Sequence, residues 1–144
     1  MTTVRHILQD KGNDVWSISP DALVFDALKV MADKNVGALV VMDGNNVAGI
    51  FSERDYARKV ILKGKSSHET AVREIMTPDV ISVSPSQSIE ECMAIMTSKH
   101  IRHLPVLEGN KLVGLISIGD VVKAVISEQE QTIRHLENYI KGSR

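Results

Sequence analysis

Serine and aspartate recur at one fixed spacing in two stretches of this chain. Ser52-Glu53-Arg54-Asp55 lies within GIFSERDYARKV (49–60), and Ser117-Ile118-Gly119-Asp120 within GLISIGDVVKAV (114–125). In each, a Gly-apolar-apolar run ends in Ser, and Asp falls in the first turn of the apolar-spaced run that follows. At a helix start, a serine oxygen accepts from a backbone N–H and an aspartate offsets the positive end of the helix. The same geometry suits a ligand, because unsatisfied N–H groups there attract phosphate. A carboxylate so placed can accept from two vicinal ribose hydroxyls, and a serine hydroxyl can donate to a phosphate or ribose oxygen. The two roles are compatible, since a capping group can also be a ligand group.

Around these pairs the charges are unlike. Arg54, Arg58 and Lys59 correspond to Gly119, Lys123 and Ala124, whereas Arg102 and His103 stand where the first copy has Gly37 and Ala38. Such residues are ordinarily solvated surface, but their nearness to strand ends and helix starts gives them a phosphate role. Two unlike sites are therefore expected. The Asp120 site is expected to bind a nucleotide more tightly, with Arg102 and His103 beside it and Gly119 letting the backbone approach closely. Arg54 or Arg58 is expected to reach phosphates held on either side.

Other chemistry lacks candidates. Cys92 sits beside Met93 and Met96 on the apolar face of an expected helix and reads as a small buried hydrophobe. His100 and His103 have neither a Cys pair nor His-x-x-x-His spacing to support zinc. No GxSxG, Walker A or GxGxxG sequence is present. No catalytic residue, metal site or catalytic cofactor is expected, and the chain does not read as an enzyme.

The elements that must position Ser and Asp come from a duplication. Adding 65 aligns Ser19-Pro20 with Ser84-Pro85, Met31 with Met96, Leu39 with Leu104, Gly44-Asn45 with Gly109-Asn110, and both Ser-x-x-Asp motifs. The register holds from Asp14 to Ile61, and upstream VRHIL (4–8) matches VREIM (72–76) with a shift of 68. In each unit, VWSIS or VISVS reads as a strand or extended segment. A helix follows, with Val24, Leu28 and Met31 or Ile89, Met93 and Met96 facing inward, and Ser88 with Glu91 forms a capping box. Two apolar runs around Gly-Asn then read as a hairpin. A second helix begins after Ser52 or Ser117, with Tyr56, Val60 and Ile61 or Val121, Val125 and Ile126 inward.

The order per repeat is β-α-β-β-α, an α+β (α/β) fold. One such unit buries too little surface to be stable alone, so the two are expected to pack sheet against sheet. The expected division is repeat 1 at 1–65 and repeat 2 at 66–144, joined by the polar KGKSSHET (63–70). Ile133, Leu136 and Ile140 extend a stripe along the final helix, which is expected to meet either VRHIL or another subunit.

Bulk properties narrow the partners. A net charge of −1 and 3% aromatic residues give no case for nucleic acid. No apolar run approaches the ~20 residues of a membrane helix, and the N-terminus has no signal core. A lone cysteine fits a reducing cytoplasm.

Two β-α-β-β-α units, each ending in Gly-apolar-apolar-Ser-x-x-Asp, resemble a tandem pair of CBS domains, the Bateman module. SERDYARKVILKGKSS followed by VREIMT is also similar to small bacterial stand-alone CBS-pair proteins. The resemblance implies a pseudo-two-fold and two clefts, each holding an adenosyl ligand: AMP, ADP, ATP, NAD(H) or S-adenosylmethionine. It assigns Asp55 and Asp120 to ribose hydroxyls, and Ser52 and Ser117 to ribose or phosphate. It gives the adenine edge to the backbone of Val15-Trp16 and Val80-Ile81, with Leu39-Val40 and Leu104-Pro105 as apolar walls. It further implies a disc-like homodimer, an unidentified protein effector and a regulatory role. A structural or interaction module with empty clefts is the alternative.

Overall fold

The computed structural model describes residues 1–142. Repeat 1 contains β1 (Ser17–Ile18), α2 (Val24–Lys34), β2 (Ala38–Asp43), β3 (Asn46–Ser52) and α3 (Glu53–Tyr56), preceded by α1 (Val4–Lys11). Repeat 2 contains α5 (Ile89–Lys99), β4 (His103–Glu108), β5 (Lys111–Ser117) and α6 (Ile118–Gly142), preceded by α4 (Val72–Ile75). The hairpins superimpose in register: Ala38 faces Ser52 and Asp43 faces Asn46, as His103 faces Ser117 and Glu108 faces Lys111. Each loop places glycine first, at φ 63° for Gly44 and 64° for Gly109. Glycine reaches that conformation without steric cost. Both first helices end on a left-handed residue, Asn35 and His100.

β1 pairs parallel to β2, but repeat 2 departs from the expected order. VISVS contributes only an isolated parallel bridge between Val83 and Val106, and Val80 and Ile81 lie outside any strand. The cause lies just upstream. Thr77 exchanges both backbone hydrogen bonds with Ile50 of β3, at 2.8 and 3.0 Å, and Asp79 then turns with φ 54°. Residues 80–82 must cross from one repeat to the other, so they join neither ladder.

Each hairpin has two buried faces. Leu39, Val41 and Phe51 point into one core with Val24, Ala27, Met31 and Val60. Leu104, Val106 and Ile116 point into a second with Ile89, Cys92, Met96 and Val121. Alternation along a strand sends Val40 and Pro105 to the opposite face. Both are buried there although neither belongs to a core cluster, as sheet-against-sheet packing requires. This explains why β2 is buried at four successive positions.

The lead-in helices are exchanged between repeats. Val4, Ile7 and Leu8 pack in the core of repeat 2, while Val72 and Ile75 pack in that of repeat 1. The backbone stitches are equivalent on the two sides. The N–H groups of Val4 and Arg5 donate to Gln87 and Pro85 oxygens, and those of Val72 and Arg73 to Ala22 and Pro20. The motif glycines make room for this exchange. A Cβ on Gly49 would meet the Thr77 carbonyl oxygen at 2.6 Å, and one on Gly114 would meet Leu8 at 2.5 Å.

Two inward assignments are corrected. Ile61 and Ile126 are 55% and 51% exposed, whereas Val60 and Val121 are fully buried. In repeat 1 the chain after α3 forms a π-helical turn, Ala57–Ile61, in place of a continuing α-helix. In repeat 2, α6 runs unbroken for 25 residues. The VRHIL segment does not cover the tail of α6, where Ile133, Leu136 and Ile140 are 54%, 58% and 67% exposed. No helix among the described residues is long and apolar enough to cross a membrane.

Candidate functional site

Both Ser-x-x-Asp motifs form reciprocal capping boxes. The Asp55 N–H donates to Ser52 Oγ at 3.2 Å, and the Ser52 N–H donates to Asp55 Oδ2 at 3.0 Å. In repeat 2 the corresponding distances are 3.1 and 2.8 Å. This is the capping role expected from spacing, and it fixes each carboxylate at the mouth of a helix.

The surroundings of the two aspartates differ. Asp55 is only 9% exposed and has both oxygens engaged. Oδ2 accepts from the Ser52 N–H and hydroxyl, and Oδ1 accepts from the Thr77 hydroxyl and pairs with Lys59 at 3.1 Å. The contacts of Asp120 instead converge on Oδ2, where Lys11 Nζ lies at 2.7 Å while also donating to the Leu115 carbonyl at 2.9 Å. Burial works against ionisation of Asp120. The hydrogen bond from Lys11, the Ser117 N–H and the Lys11 charge outweigh it and hold the carboxyl below its ordinary value. Lys11 arrives on the exchanged α1, so its role was hidden from a reading that compared equivalent positions.

Two clefts open beside these boxes. The larger, about 490 Å³, has Ser52 and Asp55 on one side and Val80 and Ile81 on the other, with Arg54, Arg58, Lys59, Thr77 and Arg102 around it. The second, about 390 Å³, brings Ser117 and Lys11 against Val15 and Trp16. Asp120 borders an adjoining cavity of about 410 Å³ with Lys11 and Lys123. The first cleft thus joins the Ser-Asp motif of repeat 1 to the crossing segment, and the second joins Ser117 to the entry segment. Gly37 and His103 border both. Burial keeps the His103 imidazole below its ordinary value, aided by Lys11 and Arg102 and opposed by Asp120 and Asp55.

Arg102 lies in the Asp55 cleft, not beside Asp120 as expected. The sheets meet across the pseudo-two-fold, so the start of β4 faces the other repeat's motif. Leu39, Val40, Leu104 and Pro105 are buried in the sheets and border neither cleft. Gly119 has only Ser117 Oγ near its missing side chain, at 3.6 Å, and borders neither cleft. Thr77 and Lys11 complete the surroundings of the two carboxylates although the motif spacing did not single them out, and Lys59, expected toward phosphate, is paired with Asp55.

The CBS domain profile matches this chain twice, over residues 4–62 and 72–127. The chain belongs to the CBS-domain family. Pairs of CBS domains are regulatory modules. Among curated relatives, the mitochondrial CBS domain-containing protein CBSX3 of Arabidopsis thaliana is 40% identical, over 98% of this chain and 73% of the relative. A solved CBS-domain protein from Burkholderia ambifaria is 56% identical with a TM-score of 0.84, covering 89% of this chain and 96% of its own. The CBS pair of MJ0100, solved with 5′-methylthioadenosine and S-adenosyl-L-methionine, shares the fold at a TM-score of 0.79 and 22% identity. That match covers 89% of this chain and 98% of the other.

Proposed function

We propose that this CBS pair is a sensor of adenosyl ligands, AMP, ADP, ATP, NAD(H) or S-adenosylmethionine, and that it acts by binding and not by catalysis. One observation carries the reading. Ser52 and Asp55 border one open cleft, and Ser117, the capping partner of Asp120, borders the other. Each cleft is lined opposite by a backbone segment, Val80-Ile81 or Val15-Trp16. A carboxylate anchored by its own helix start is held ready to accept ribose hydroxyls, with little ordering cost at binding. The extended backbone opposite offers N–H and C=O groups to an adenine edge. The complex of MJ0100 with two adenosyl compounds supports the ligand class for this fold. The sensor reading includes a homodimer joined through α6, an unidentified protein effector, and a cytoplasmic setting consistent with the lone thiol Cys92.

The test is mass spectrometry of small molecules released from freshly purified, denatured protein, followed by rebinding of whatever is found. An adenosyl compound released in stoichiometric amount, and rebound by refolded or stripped protein, is the expected result. Clefts that carry nothing and bind none of the five ligands would instead establish a structural or interaction module.

A further inference from the structure

We infer that the two clefts divide adenosyl ligands by charge: the Asp55 cleft takes a phosphate-bearing nucleotide, and the Asp120 cleft takes an adenosyl compound without phosphate. The inference rests on the sensor reading above and specifies the ligand of each half. Arg54, Arg58 and Arg102 line the Asp55 cleft, and none of these guanidiniums makes an ion pair or hydrogen bond among the described residues. Three carboxylates share this lining. Asp55 is already engaged by Lys59 and Thr77, and neither Glu53 nor Asp79 forms an ion pair with these arginines among the described residues. Three unpaired guanidiniums beside a cavity of about 490 Å³ are an anion site, because planar forked donors meet phosphate oxygens two at a time.

No arginine lines the Asp120 cleft among the described residues. Its one lysine, Lys11, is paired with Asp120 at 2.7 Å, and Asp14 adds a further carboxylate to the lining. Trp16 supplies an aromatic wall. A polyphosphate placed there meets no guanidinium, and Lys34 Nζ sits over the Trp16 ring at 4.3 Å, whereas the ribose and base of a neutral ligand meet Ser117, Asp14 and the indole. The unrepeated arginines of the sequence thereby acquire a use, and the distribution is the reverse of the one expected from position alone.

The chain's only tryptophan separates the two events. Trp16 is 36% exposed and borders the Asp120 cleft only, so its emission reports on that cleft, while calorimetry reports on both. The full chain is titrated with ATP and, separately, with 5′-methylthioadenosine. ATP is expected to give binding heat without changing Trp16 emission, and 5′-methylthioadenosine to change it. Arg54→Gln with Arg58→Gln should weaken ATP about ten- to a hundredfold and leave 5′-methylthioadenosine unaltered. Asp120→Asn should do the converse. Equal weakening of both ligands by either variant, or displacement of 5′-methylthioadenosine from Trp16 by ATP, overturns the division while leaving the sensor reading intact. Failure of both ligands to bind overturns the sensor reading and the division with it.

Discussion

The Lys11–Asp120 ion pair ties the start of α6 to α1. The carboxyl of Asp120 is held below its ordinary value of 3.8, so the unfolded chain takes up its proton first as pH falls. Stability from this pair is therefore complete above about pH 4 and is lost as pH falls through the folded value. Lys11→Met should remove that part of the acid dependence of the melting temperature; an unchanged acid limb would mean the pair is not formed in solution. His103 behaves with the same sign in a different window. Its neutral form is favoured by burial, so stability should begin to fall below pH 6.5, and His103→Asn should abolish that component. Cys92 is fully buried and its thiol is pushed up to about 11. Native protein should resist a thiol reagent at pH 8 and react fully once denatured, since the thiolate is the reactive form. At Gly49 the repeated motif serves packing as well as chemistry. Gly49→Ala should cost about 1–3 kcal/mol in denaturant melts, because the added methyl meets the Thr77 backbone.

At the level of elements, the duplication made most of the fold legible: one register of 65 placed both hairpins, both first helices and both capping boxes. What it could not supply was the partner of each lead-in segment. VRHIL and VREIM are equivalent by sequence, but only three-dimensional packing decides that each fills the core of the other repeat. For the same reason VISVS read as a strand, although Thr77 and Asp79 commit the preceding chain to repeat 1 and leave 80–82 as a crossing. The exchange has a measurable consequence. Leu8→Ala should destabilise by about 2–5 kcal/mol, as expected for a core residue, although it lies eight residues from the N-terminus. The tail of α6 carries a different expectation. Val122, Ile126, Ile133 and Leu136 are 42–58% exposed along one helix, and a second copy would bury them. Sedimentation should give about twice 15.9 kDa, and Ile133→Ser with Leu136→Ser should return the monomer mass without unfolding the pair. A monomeric parent, or a dimer indifferent to both changes, would remove α6 from the interface.

For the whole molecule, the pseudo-two-fold makes two clefts alike in plan and unlike in charge. The spacing of Ser and Asp revealed both helix-start capping boxes. The sequence position of Arg102 did not reveal its cleft, because the sheets bring the start of β4 across to the motif of the other repeat. Regulation by such a pair requires that ligand binding be linked to the fold. The exchanged helices would provide that link physically, since Lys11 on α1 and Thr77 beside α4 both touch the capping carboxylates. A ligand at about 100 times its Kd adds ~2.7 kcal/mol to stability. For a chain of 144 residues this corresponds to about 5–11 °C in melting temperature. Thermal unfolding with AMP, ADP, ATP, NAD, NADH and S-adenosylmethionine, each at saturating concentration, should show a rise of that size for at least one ligand, and Asp55→Ala with Asp120→Ala should abolish it. No shift with any of the six, or a shift that survives loss of both aspartates, would contradict adenosyl sensing at these clefts.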